Sequence, residues 1–205
     1  MKKIILILSS VFLFALSKDE IRKIYYESYN YEKMGDYKDA IKVLIPLYKE
    51  YPNGYTLNLR LGWLFYLNKN YENAIKHYNL ASKIHSYSLE PKLGLMRVFN
   101  FLGKYDKSIK IGNTVLRSDY YNYYGNYYYG NALLGIKDYK NVILLANKIL
   151  TLYPTSVLFL NLLGKSYFYN KNFKKAKDIF ENVLILDPNN VVAKEFLKRI
   201  KGENR

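Results

Sequence analysis

The sequence predicts an all-α fold, a solenoid of five stacked helix–turn–helix repeats closed by one further helix. Three observations carry this. A seven-residue phrase recurs at a constant step: GDYKDAI at 35–41, KNYENAI at 69–75, GKYDKSI at 103–109, KDYKNVI at 137–143 and KNFKKAK at 171–177. Its aromatic member is Tyr37, Tyr71, Tyr105, Tyr139 and Phe173, 34 residues apart each time. A fixed period of roughly 20 to 50 residues marks a stacked repeat architecture. Second, apolar residues flank the phrase with helical spacing. In the second unit Leu57, Leu61, Trp63, Leu64 and Leu67 are followed by the break Asn68-Lys69-Asn70, then by Ala74, Ile75, Tyr78 and Ala81. Apolar positions at i, i+3, i+4 and i+7 predict helix, and the break makes each unit a helix pair. Third, no comparable length alternates apolar and polar residues as a strand would.

Taken in order, residues 1–17 (MKKIILILSSVFLFALS) have the plan of a secretory signal peptide. Lys2 and Lys3 are followed by an apolar run from Ile4 to Leu16, with the small residues Ala15 and Ser17 at −3 and −1 of a cleavage site before Lys18. The run is shorter than the ~20 apolar residues of a spanning helix. The expectation is a periplasmic or otherwise exported chain, the alternative an uncleaved leader anchoring it to the inner membrane. Asp19 is expected to cap the first helix. Residues 21–190 divide into units at 21–54, 55–88, 89–122, 123–156 and 157–190. Pro46 falls inside the second helix of unit one and is expected to kink or break it. Residues 191–201 read as an amphipathic capping helix, with Val192, Phe196 and Ile200 on its apolar face, and 202–205 as a frayed tail.

The units resemble the tetratricopeptide repeat family across nearly all of the mature chain. The first helix shows Leu61-Gly62 then Phe65, Leu95-Met96 then Phe99, Tyr129-Gly130 then Leu133, and Leu163-Gly164 then Tyr167. The second helix opens with the recurrent aromatic and a small or modest residue (Ala40, Ala74, Ser108, Val142, Ala176) and closes with Pro52, Pro154 or Pro188. Unit one departs most, with Glu27-Ser28 where Leu-Gly is expected, which suits a terminal repeat with a polar face. The resemblance implies a right-handed superhelix whose concave face is lined by the first helix of each unit. Small residues (Gly62, Gly130, Gly164) are expected to let helices approach closely, Asp36, Asn70 and Asp138 to cap the second helices, and the turn aromatics to serve packing.

Composition narrows the chemistry. The chain has 205 residues, no cysteine, 32 Lys and Arg against 17 Asp and Glu, and a formal net charge of +15. Disulfides and thiolate chemistry are excluded. The charge favours an anionic partner, though abundant Lys, Asn, Ile and Tyr also follow from an A/T-rich genome. No phosphate-binding loop, HExxH or nucleophile elbow occurs. The expectation is a non-enzymatic protein without catalytic residues, metal or cofactor. His77 and His85, eight residues apart, are expected at the surface.

What remains is binding. The implied inner face presents Tyr25 and Tyr29 from unit one, Trp63 and Tyr66 from unit two, Arg97 from unit three, and Tyr124, Tyr127 and Asn131 from unit four. Tyrosine, tryptophan and arginine are the side chains enriched where interfaces gain most energy. The expected function is a protein–protein interaction scaffold or adaptor in a bacterial cell-envelope assembly, capturing a partner peptide in this aromatic groove. The set with which some family members grip a C-terminal carboxylate is incomplete here. The alternative is a basic surface module binding a polyanion through Lys104, Lys107, Lys110, Lys140, Lys174, Lys175 and Lys177: anionic lipid, glycan or, without export, nucleic acid. Export disfavours nucleic acid; membrane contact would run through an uncleaved leader or that basic surface.

Overall fold

The computed structural model describes residues 16–203, and the leader expected at 1–17 lies outside them except for Leu16 and Ser17. Among the described residues every regular element is α-helical: α1 (Lys18–Lys33), α2 (Tyr37–Lys42), α3 (Ile45–Glu50), α4 (Tyr55–Leu67), α5 (Tyr71–Ile84), α6 (Glu90–Phe101), α7 (Tyr105–Ser118), α8 (Tyr123–Gly135), α9 (Tyr139–Leu150), α10 (Val157–Tyr169), α11 (Phe173–Leu186) and α12 (Val191–Glu203). They form a right-handed helical solenoid of five repeats and a final helix. Helix α12 runs two residues past its expected end.

The recurrent phrase folds the same way five times. Its first residue, Gly35, Lys69, Gly103, Lys137 or Lys171, has a positive φ of 58–78°. Its amide bonds back to the third residue before it, and the next amide to the fifth before that one, as in Lys69 N to Tyr66 O and Asn70 N to Phe65 O. This pair of bonds satisfies carbonyls that a helix end leaves open. The next residue caps the following helix: Asp36, Asn70, Asp138 and Asn172 accept from the amide three residues on, whereas Lys104 has no oxygen to offer.

Two local expectations are corrected. Helix α1 starts at Lys18, so Ser17, not Asp19, is its N-cap, in a reciprocal capping box with Glu20. Asp19 lies in the first turn and pairs with Arg22 at 2.9 Å. Ser28 is not part of a polar outer face. It is buried, donating to the Ala40 carbonyl at 2.9 Å and accepting from Arg60 at 3.0 Å. At Pro46 the second helix of unit one divides into α2 and α3, with the proline in the first turn of α3, where its missing N–H leaves no helical bond unmade.

Close packing follows a volume rule in units two, three and five. A Cβ added at Gly62 would lie 2.7 Å from the Tyr78 ring, and one at Gly164 2.7 Å from Phe180. In unit three the sizes are exchanged: Met96 stands one period after Gly62, and Gly112 one period after Tyr78. The Met96 methyl and the Tyr129 ring fill the space above Gly112, at 2.8 and 2.5 Å from a hypothetical Cβ. At the far end Ala193, Phe196 and Ile200 of α12 are buried against Phe180 and Phe168.

Candidate binding groove

Within the stack α4 packs on α6, α6 on α8 and α8 on α10, while the second helices chiefly contact the first helices flanking them. The first helices therefore form the shorter, inner layer, and their outward row lines a groove with two hollows.

The first hollow, about 600 Å³, is lined by Tyr29, Glu32, Lys33, Thr56, Leu59, Arg60 and Trp63. It is internally paired. The Glu32 carboxylate accepts from Trp63 Nε1 at 2.6 Å and from the Arg60 guanidinium. Arg60 lies over the Tyr29 ring at 3.6 Å. Its charge is matched at source.

The second hollow, about 550 Å³, joins α4, α6, α8 and α10 through Tyr66, Arg97, Asn100, Phe101, Tyr127, Tyr128, Asn131 and Tyr169, with Tyr105, Lys137 and Tyr139 from the turns and the helix starts that follow them. Arg97 Nε donates to the Tyr128 hydroxyl at 2.8 Å, and its guanidinium carbon lies 4.6 Å from the Trp63 ring centre and 5.4 Å from that of Tyr128. Asn100 Nδ2 donates to the Tyr128 carbonyl at 2.7 Å, and Asn131 Nδ2 to the Tyr127 carbonyl at 2.8 Å. The Asn100 Oδ1 is buried with no donor. Burial holds the Tyr127 hydroxyl above its ordinary pKa, so it stays protonated.

The structure thus brings Tyr29 and Trp63 to the first hollow and Tyr66, Arg97, Tyr127 and Asn131 to the second. It does not bring in Tyr25 or Tyr124. Tyr25 packs on the core of the first two units and borders a separate crevice with Leu16, Leu47 and Leu57. Tyr124 is 53% exposed and stacks on Tyr128 from outside. Tyr105 and Tyr139 correct the view that the turn aromatics only pack, since both also wall the second hollow. Sequence reasoning missed Glu32, Arg60 and Tyr128. The repeat register could have found Glu32, one period before Tyr66 and two before Asn100.

The expectation for one histidine is also corrected. His77 is 4% exposed, set between Phe65 and Tyr48 with ring centres 5.2 and 5.1 Å away. Asn58 Nδ2 donates to the Pro52 and Gly54 carbonyls, which leaves its Oδ1 as acceptor for His77 Nδ1–H at 2.8 Å. Burial lowers the His77 pKa to about 4, with the Lys76 charge adding to the effect. Among the described residues no three His, Asp or Glu side chains converge where a metal would bind.

A right-handed stack of helix pairs with its groove on the inner layer is a helical-repeat scaffold. Two tetratricopeptide repeat profiles match its sequence, at residues 27–88 and 157–190, and the chain is a member of the tetratricopeptide repeat family. Solved structures share the fold. A tetratricopeptide repeat protein from Parabacteroides merdae superposes with a TM-score of 0.76 at 19% identity, covering 91% of this chain and 75% of that one. MamA from Desulfovibrio magneticus gives 0.66 at 19% identity, covering 73% and 85%. YrrB, a tetratricopeptide repeat protein with an unusual peptide-binding site, gives 0.66 at 12% identity, covering 85% and 90%. No curated protein matches the chain in sequence.

Proposed function

We propose that this protein is a non-enzymatic interaction scaffold that takes up an extended segment of a partner protein along the inner groove, chiefly in the second hollow, and that it works in a bacterial cell-envelope assembly after export directed by residues 1–17. One observation carries the reading. The second hollow gathers seven aromatic rings with the two cations Arg97 and Lys137. A pocket of this size with few polar groups suits peptide side chains and their backbone. That YrrB has a peptide-binding site on the same fold supports it.

Two measurements test it. A photo-crosslinking residue placed at Tyr124, on the rim, should capture a protein partner in the native cell. The triple change Trp63→Ala, Arg97→Ala and Tyr127→Ala should abolish that adduct with helicity retained, and an undiminished adduct would sink the groove. Adducts that survive those changes but vanish with salt would favour polyanion binding on the lysine-rich surface. For export, mass spectrometry of the N-terminus decides: a cytoplasmic chain that still begins at Met1 would defeat the leader.

A further inference from the structure

We infer that the edge of the solenoid formed by the turns inside units three, four and five is a docking surface for an anionic phospholipid bilayer. This surface is separate from the groove and does not depend on what the groove takes.

The two edges of the stack differ in charge. One carries the turns within units, the other the loops from each unit to the next. The five turns, with the first four residues of the helices that follow them, hold nine lysines. The five loops at 51–54, 85–89, 119–122, 151–156 and 187–190, with the first four residues of their helices, hold two, Lys92 and Lys194. A lysine excess set by base composition alone would load both edges. The turns of units three to five each bring a pair: Lys104 and Lys107, Lys137 and Lys140, Lys174 and Lys175. All six are exposed, and none pairs with a carboxylate among the described residues. The contacts of α6 with α8 and of α8 with α10 set the three turns side by side. Nor does the fold gain from these lysines locally. Lys140, Lys174 and Lys175 lie in the first turns of α9 and α11, which hold no acidic residue, so they face the positive end of the helix dipole. Lys104 stands where the other turns place an Asp or Asn cap and offers no oxygen.

Unpaired, exposed cations in a row attract an anionic surface. Charge alone would admit any polyanion, and the apolar residues among the lysines narrow the choice. Phe101, the last residue of α6, is 62% exposed three residues before Lys104, and Ile136 is 45% exposed next to Lys137. A nucleic acid or an acidic glycan offers phosphates or carboxylates but nothing to cover an isoleucine. A bilayer offers both, with phosphates at its surface and hydrocarbon just beneath. Lysine stems lie along such an interface with their ammonium groups at the phosphates, and apolar tips enter between the headgroups.

The chain has no cysteine, so a single introduced one can carry an environment-sensitive fluorophore. In the full chain, Ile136→Cys places the label on the lysine-lined edge and Thr155→Cys on the opposite one, where Thr155 is exposed. Insertion of residues 1–17 would bring both labelled chains to a vesicle alike, so the label's own surroundings decide. With phosphatidylglycerol vesicles the Ile136 label should shift to the blue and the Thr155 label should not. With phosphatidylcholine vesicles neither should move. Each lysine near an anionic surface is worth about fivefold in partition, so Lys107→Gln, Lys140→Gln, Lys174→Gln and Lys175→Gln together should abolish the shift. The four amides relieve charge at helix N-termini, so Tm should not fall, which separates lost docking from lost folding. A Thr155 label that shifts as far as the Ile136 label, an equal response to phosphatidylcholine, or a shift that survives the four changes would overturn the membrane edge. So would heparin or oligo-dT binding that needs the four lysines while vesicles leave the Ile136 label unmoved, which would reassign them to a soluble polyanion. Partner capture by the groove is read separately, at Tyr124.

Discussion

The single residue whose environment makes the sharpest demand is His77. Its imidazole gives Nδ1–H to Asn58 and rests between Phe65 and Tyr48, so the charge of a second proton would sit where little water reaches it. Its pKa falls from the model-compound 6.5 to about 4 in the folded chain. Between those values the unfolded chain holds the proton and the folded one does not, so stability is complete above pH 6.5 and drops as pH falls toward 4. The full loss is about 3 kcal/mol. Urea unfolding midpoints at pH 7.0 and 4.5 check this against His77→Gln, whose amide can still reach Asn58. The substituted chain should show a flatter dependence across that window, and equal slopes would discard the explanation. His77 was legible in the sequence as part of the stripe Ala74, His77, Tyr78 and Ala81. Polarity argued for the surface instead, because no local pattern shows that Asn58, nineteen residues earlier, supplies its partner. That Tyr25 and Tyr124 lie outside the two hollows has a related reason. A helical face is wide, and only the neighbours' side chains decide which of its tyrosines meet the hollow.

At the scale of the element, the turn is both the most readable feature and one that remains improvable. Its aromatic and its Asx cap were visible as a phrase, and with them the register of every helix pair. The bonded geometry behind that register is a left-handed residue at each helix end. Glycine fills it at Gly35 and Gly103, and lysine at Lys69, Lys137 and Lys171. A side chain in that conformation costs roughly 1–2 kcal/mol, part of which glycine returns through its freer unfolded state. Lys171 is exposed and does not line the second hollow, so Lys171→Gly tests the turn itself. It should stabilise the chain by about 0.5–1 kcal/mol, a rise of about 1–3 °C in Tm. Scanning calorimetry would read it, and a lowered Tm would mean that the lysine makes a compensating interaction. The volume rule was only half legible. Gly62 and Gly164 announced close contacts, whereas Met96 with Gly112 looks like a lapse in the motif until the exchange of sizes is seen in space.

At the scale of the molecule, the stack behaves as a line of neighbours. Helix α12 contacts chiefly α10 and α11, and the core divides into clusters that each join adjacent units. Stability in such an array is close to a sum of unit and interface contributions, so damage at one end should stay there. Phe196 is the place to ask. Its ring centre lies 5.1 Å from those of Phe168 and Phe180 and 5.8 Å from that of Tyr169, which itself borders the second hollow. Phe196→Ala removes about 3–5 kcal/mol of packing. Hydrogen exchange followed by mass spectrometry should then show faster exchange in α10, α11 and α12, with α4, α5 and α6 protected as before. Uniform loss of protection would mean that the five repeats unfold as one cooperative block. The groove gives the same experiment a second reading. With Tyr169 loosened, peptides that reach along α10 should lose affinity, while the Glu32–Trp63 contact of the first hollow, three units away, keeps its geometry and Trp63 its fluorescence.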